Sequence, residues 1–258
     1  MRLLTRCLAF SFGTGFLIAP AFAQDLTLVY KETEGGATSS RYYTKDKMRT
    51  SSPESDTMVE YASGKITTID HKKKEYSEFT VAEAEARMKE AAAEMEKQSA
   101  QMKQQMEAMP PAVREKMEQM LGGMADSVTV TKGGTRKVAG YDCQEYVIAM
   151  GQSMKTNTCN TTALAFPIPE ADLRRYMSFA SGIATSPMGK GFTKLADKMK
   201  EVQGIAIAES SSFSLLGKTK TSGREAVEVK QGPVDPAVFA LPAGYKKVPS
   251  PFLKGGKG

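Results

Sequence analysis

From Asp25 to Phe79 the chain repeats one device: a short run alternating apolar and polar residues, then a cluster of Gly, Ser, Asp or Lys. Alternation with period two puts one set of side chains on each face of an extended strand, so it confines this region to half-buried β-structure. Leu26, Leu28 and Tyr30 against Thr27, Val29 and Lys31 predict a first strand over Asp25–Glu32. Ser40–Thr50, Thr57–Ala62, Lys65–Asp70 and Lys74–Phe79 predict further strands, with turns at Gly35-Gly36, Ser63-Gly64 and Asp70–Lys73. Strands this short, joined by turns this tight, read as an antiparallel meander.

The period changes at Thr80. Thr80-Val81-Ala82-Glu83 is a capping box, in which the hydroxyl accepts a helical N–H and the carboxylate reaches back. A helix is expected from there to about Ala108, before Pro110-Pro111, and a second from about Pro111 to Leu121, stopped by Gly122-Gly123. At 1.5 Å per residue the first would be about 40 Å long. Val81, Met88, Met95, Met102 and Met109 recur every seven residues on one stripe, with Ala84, Ala91, Ala92 and Met106 beside them. Methionine is flexible and polarisable and suits variable apolar partners. Met88, Ala92, Met95, Met102, Met106 and Met109 are therefore the candidate face for an apolar ligand or a protein partner. Three readings stay open for this stripe: it packs on the sheet or on another helix, it roofs an apolar cavity, or its thioethers take Cu(I).

Strands resume at Asp126–Thr131, Arg136–Ala139, Tyr141–Met150 and Met154–Asn160. Helical periodicity returns around Leu173–Ile183 and Met188–Val202, and a final pair of strands runs from Ile205 to Lys230. Arg2 and Arg6, the apolar run Leu8–Pro20 and the small-x-small site Ala21-Phe22-Ala23 read as a cleavable signal peptide over residues 1–23. Cys7 lies before the cleavage point, so no lipid-attachment cysteine is implied. Removing Arg2 and Arg6 lowers the formal charge from +6 to +4, a mild basic balance concentrated in a Lys- and Gly-rich tail. Cys143 and Cys159 remain, and an even pair in an exported chain predicts a disulfide. Pairing the runs about Gly151 sets Cys143 opposite Cys159, Glu145 opposite Asn157 and Ile148 opposite Met154, which satisfies the bridge and the burial pattern together.

Several chemistries lack their residues. There is no His-Glu-x-x-His, no Gly-rich phosphate loop and no Gly-x-Ser-x-Gly elbow. The single histidine, His71, sits before Lys72-Lys73-Lys74 and reads as an exposed turn residue. The small net charge and the absence of tryptophan argue against nucleic acid. No apolar stretch after the signal peptide is long enough for a spanning helix. Asn160-Thr161-Thr162 fits a glycosylation acceptor in a eukaryotic route only.

Two segments, Lys137-Val-Ala-Gly-Tyr-Asp-Cys-Gln-Glu-Tyr146 and Val234-Asp-Pro-Ala-Val-Phe-Ala-Leu-Pro-Ala-Gly-Tyr245, resemble the signatures of a bacterial exported family, domain of unknown function 4412; Met48-Arg49 fits its opening. The resemblance implies a likeness to the periplasmic lipoprotein-carrier fold, a curved antiparallel half-barrel with helices in its concave side. It brings no catalytic residues. Read alone, Asp235-Pro236 starts a helical turn that carries Val238 and Phe239 inward, and Leu241–Tyr245 turns and buries an aromatic, as a latch on the sheet.

Together these readings predict an α+β protein: a curved antiparallel sheet of about nine or ten strands, helices on the concave face and a long Met/Ala-rich helical insertion at 81–121. The expected layout is signal peptide 1–23, one domain over 24–248 and a disordered basic tail over 249–258. The expected role is a periplasmic, non-enzymatic binding or carrier protein for lipid or acylated ligands, without a cofactor or resident metal. The alternatives are an envelope interaction module docking through the Met-rich helix and a periplasmic Cu(I)-handling protein.

Overall fold

The structure, a computed structural model, describes residues 24–91, 93–94, 128–151, 154–172, 197–215 and 218–253. Among these residues twelve strands form one sheet. They are β1 (Leu26–Glu32), β2 (Thr38–Tyr43), β3 (Lys47–Ser51), β4 (Ser55–Glu60), β5 (Lys65–Asp70), β6 (Glu75–Thr80), β7 (Val128–Val138), β8 (Tyr141–Met150), β9 (Met154–Thr161), β10 (Ile205–Leu215), β11 (Lys218–Gln231) and β12 (Lys246–Lys247). Their order is β12-β6-β5-β4-β3-β2-β1-β11-β10-β9-β8-β7. Two meanders are thus laid end to end: β1 to β6 step outward from the middle, β7 to β11 step back inward, and β1 pairs with β11 at the seam. Every pairing is antiparallel except that of β12, which lies parallel on β6.

This architecture corrects the expected one. Instead of an α+β half-barrel with helices on its concave face and a long helical insertion, the described residues form a large, open, mixed sheet in which helix is a minor component. The strand count also rises from about nine or ten to twelve. Ser40–Thr50 is two strands, because the Thr44 hydroxyl accepts the N–H groups of Asp46 and Lys47 and turns the chain there. The reverse happens in β7, where the gap expected before Arg136 is a bulge between Lys132 and Thr135 within one continuous strand. The helix does begin at Val81: Thr80 N–H donates to Glu83 Oε2 at 2.7 Å and Glu83 N–H to Thr80 Oγ1 at 3.2 Å. The Thr80 N–H foremost, and the Thr80 hydroxyl donating to the same Glu83 Oε2 at 2.9 Å, hold the Glu83 carboxyl below its usual range. Helix is described at 81–91, 93–94, 170–172 and 197–199. The signal-peptide region 1–23, the Met-rich stretch from 95 to 121 and, of the expected helical region 173–202, residues 173–196 lie outside the described residues.

The core follows from register. Leu26, Tyr43, Met48, Val59, Ile66 and Phe79 are successive cross-strand partners from β1 to β6, so they form one apolar row on a single face. Val81 and Ala84 from the helix cover the β6 end of that row, with Met88 partly buried beside them. The segment after β9 covers the middle: Leu164 is buried, Phe166 packs on Tyr43 with ring centroids 4.8 Å apart and the rings tilted, and Ile168 touches both core clusters. Leu26 and Leu28 are fully shielded from water, each stabilising the fold by about 1.5–3 kcal/mol. Tyr30 fastens the seam. Its hydroxyl donates to Ala206 O at 2.9 Å, and Arg41 and Arg224 stand 5.3 Å from its ring. Burial is the main cause that pushes its phenol up to about 12.

Cys143 and Cys159 are disulfide-bonded as expected, with Cα atoms 5.3 Å apart. The register differs by two residues: Cys159 faces Glu145, and Met150 faces Met154. Met150 and Met154 are therefore the last pair before the turn, and the bridge runs diagonally between β8 and β9. An even shift keeps each side chain on its expected face. Asn160, the possible glycosylation acceptor, is buried, and its side chain bonds Thr158 and Gly204 O.

Candidate functional site: an apolar cleft under a C-terminal strap

The face opposite the apolar row is covered by the chain's own end. Arg49, Met58 and Thr67 form one row there, and Ser51, Asp56 and Ile69 the next. From Gln231 at the seam the chain crosses this face, adds β12 to the β6 edge and then rounds that edge. Asp235 caps a 3-10 turn over Pro236–Phe239, accepting Ala237 N–H at 2.8 Å. Beyond β12, Ser250 is buried, Phe252 stacks on Phe79 at 5.2 Å and Leu253 joins the core cluster on the other face. Residues 250–253, expected to belong to a disordered tail, are a clasp; 254–258 lie outside the described residues.

Arg49 holds the strap. Its guanidinium donates to Val238 O, to Ala240 O at 3.2 Å and to Asp56 Oδ2. The Asp56 side chain is wholly shielded from water. Burial raises its pKa, but hydrogen bonds from Arg49, Ser51 and His71 outweigh burial and hold the carboxyl below the usual range. His71 Nε2 lies 3.1 Å from Asp56 Oδ2, and Nδ1 lies 3.0 Å from the Tyr245 hydroxyl. His71 is thus a bridge between sheet and strap, with a side chain 24% exposed, and not the exposed turn residue its lysine-rich context suggests. The arrangement serves either charge state. Nε2 donates to the carboxylate, while Nδ1 accepts from the phenol when neutral and donates to it when protonated.

Where the strap starts, it faces the segment after β9 across a cleft of about 610 Å³ at the end of the sheet. Phe166, Pro167, Ile168 and Pro169 line one side and Val234, Pro236 and Phe239 the other; Asp25 and the Thr44–Lys47 turn complete it. Lys45 and Asp46 pair at 3.2 Å and are largely exposed, and Lys47 stands 5.7 Å from the Phe239 ring centre. The walls are hydrocarbon and the rim is charged but balanced.

Of the sequence-predicted site residues, Cys143 and Cys159 lie together in the core and Met88 packs by the helix start. Ala92, Met95, Met102, Met106 and Met109 lie outside the described residues. The cleft residues carried no signal beyond the Val234–Tyr245 signature, which contains the strap's whole wall. Among the described residues no cluster of three or more His, Cys, Asp or Glu side chains could hold a metal ion, and no helix is long and apolar enough to cross a membrane.

A family model described as a domain of unknown function, DUF4412, matches residues 95–245, more than half of the chain. Comparison with curated proteins finds no match. Among solved structures the chain is similar to an uncharacterized conserved protein from Thermus thermophilus, at 8% identity over 88% of this chain and 91% of that one, with a TM-score of 0.43. No named neighbour carries the expected likeness to lipoprotein carriers. One signature segment carries Cys143 and most of β8, the other the middle of the strap, and the chain belongs to the DUF4412 family.

Proposed function

We propose that this protein is an exported, non-enzymatic binding protein whose cleft takes an acyl chain, either of a free lipid or attached to a protein. The observation that carries the reading is the cleft itself: about 610 Å³ walled by Phe, Ile, Val and Pro. Ligand sites have about 300–1,000 Å³ and mostly apolar linings with few polar groups. The balanced Lys45–Asp46 rim means that affinity comes from the walls and not from charge. Export is supported by the signal-peptide pattern of residues 1–23 and by the Cys143–Cys159 bridge, since disulfides persist in oxidising compartments. In a Gram-negative cell that compartment is the periplasm.

The test is titration of the purified protein with cis-parinaric acid and, separately, with an N-palmitoylated peptide, alongside mass spectrometry of an organic extract of the natively isolated protein. Saturable binding and a co-purifying acyl species are expected. Phe239→Ala removes part of one wall and should weaken binding about tenfold, the equivalent of about 1.4 kcal/mol. The absence of both saturable binding and an acyl species in the extract would discard the reading. Copper or a protein recovered in their place would favour the readings built on the methionines of 95–121.

A further inference from the structure

We infer that residues 233–243 of the strap form a hinged gate over the cleft, with Arg49 as its catch. This rests on the cleft being a ligand site. Three features of the strap point to a gate. First, its ends are firmly tied and its middle is not. Gln231 still pairs with Leu26, and Gly232 N–H donates to Asp25 O; at the other end Lys246 and Val248 donate backbone bonds to Lys74 O and Tyr76 O of the β6 side. Between them, the backbone–backbone bonds of 233–243 among the described residues are internal to the 3-10 turn: Val238 N–H to Asp235 O and Ala240 N–H to Ala237 O. No residue of that turn is buried.

Second, side-chain hydrogen bonds hold the middle down at two points, and Lys47 stands over the Phe239 ring between them. The Asp25 carboxylate accepts Val234 N–H at 3.1 Å, and Arg49 clasps Val238 O and Ala240 O. Third, a glycine with positive φ flanks each end: Gly232 at 135° and Gly244 at 79°, each with open space where a Cβ would stand. Such positions absorb a backbone rotation that other residues resist. The segment so suspended carries Val234, Pro236 and Phe239, the whole of one cleft wall. Lifting it opens the cleft along its length while β4, β5 and β6 keep their ladders.

Hydrogen exchange read by mass spectrometry, with stopped-flow binding of cis-parinaric acid, tests this on the full mature chain. Two variants are needed, because Arg49→Gln alone strands the buried Asp56. They are the double variant Arg49→Gln/Asp56→Asn and the single variant Asp25→Ala, which frees the other anchor and leaves the catch intact. The expected result is at least about tenfold faster exchange across 233–243 in both, unchanged protection of β4–β6, and faster probe association and dissociation. Unchanged strap exchange would overturn the gate. So would exchange that spreads into β4–β6, or selective strap exchange with unaltered probe kinetics. If the wild-type protein binds no probe at all, the ligand reading fails, and selective exchange alone would still uphold a hinged strap.

Discussion

At the scale of single residues, Asp56 shows how one buried charge organises its surroundings. It sits on β4 with no water contact, and its counter-charge on β3, Arg49, is also the group that grips the strap. Asp56→Asn removes the carboxylate while keeping the shape, and leaves Arg49 without its partner charge. Breaking a buried pair typically costs about 3–5 kcal/mol, and urea unfolding at pH 7 should show a loss of about 3 kcal/mol. The pH dependence has a definite sign. A carboxyl held below its usual range in the fold stabilises it above the unfolded value, about 3.9, and that contribution fades as pH falls through the folded pKa. The gap between wild type and Asp56→Asn should therefore be constant through neutral pH and close in strong acid. A gap that instead widened below pH 4 would contradict the account.

At the scale of elements, the β8–β9 hairpin and the outer edge are each secured differently. The bridge joins residues 16 apart in sequence, and both cysteines are buried. Loop-closure entropy for a loop of that size is worth about 3 kcal/mol. Cys143→Ala/Cys159→Ala should lose about that much in denaturant titration while keeping its β-sheet circular dichroism; an unchanged midpoint would refute it. Edge strand β7 is blunted by its Gly133-Gly134 bulge and by Lys132, Arg136 and Lys137, the devices that discourage strand-to-strand association. Arg136 also pairs with Glu145 at 3.2 Å and with Glu225, on β11, at 2.9 Å. Elements whose cause is local were legible in the sequence: the Thr80 capping box, the alternation of β1, the Tyr141–Met150 strand and the cysteine pair. The Thr44 turn was missed because Thr-Lys-Asp carries no glycine or proline, and β12 because two residues show no period. The cleft and the catch were invisible for another reason. His71 meets Tyr245 across 174 residues, and Arg49 meets Val238 across 189; no window of sequence contains such a pair.

At the scale of the whole molecule, a sheet this wide has to manage its ends. β12 shields only the first part of β6, and the clasp beyond it sets Phe252 and Leu253 against the core on the far side. Phe252 keeps 42% of its surface exposed and Leu253 is half-buried, so Phe252→Ala/Leu253→Ala should cost about 2 kcal/mol in total. Its diagnostic effect lies elsewhere: with the clasp loosened, the β6 edge is offered to other chains, and light scattering at raised concentration should report association that the wild type lacks. A monodisperse double variant would show the clasp to be dispensable for edge protection.

The placement of β1 has a consequence in time. Among the described strands it leaves whatever machine extrudes the chain first, yet it lies in the interior of the sheet, with Leu26 beside Tyr43 on one flank and Gln231 on the other. The opening meander can zip up as soon as Thr80 has emerged, but the flank of β1 that belongs to β11 stays raw until the chain has been extruded as far as Gln231. Throughout that interval the newborn chain carries an unfinished border at its centre, where a holding chaperone or an unwanted neighbour would compete with the chain's own last long strand.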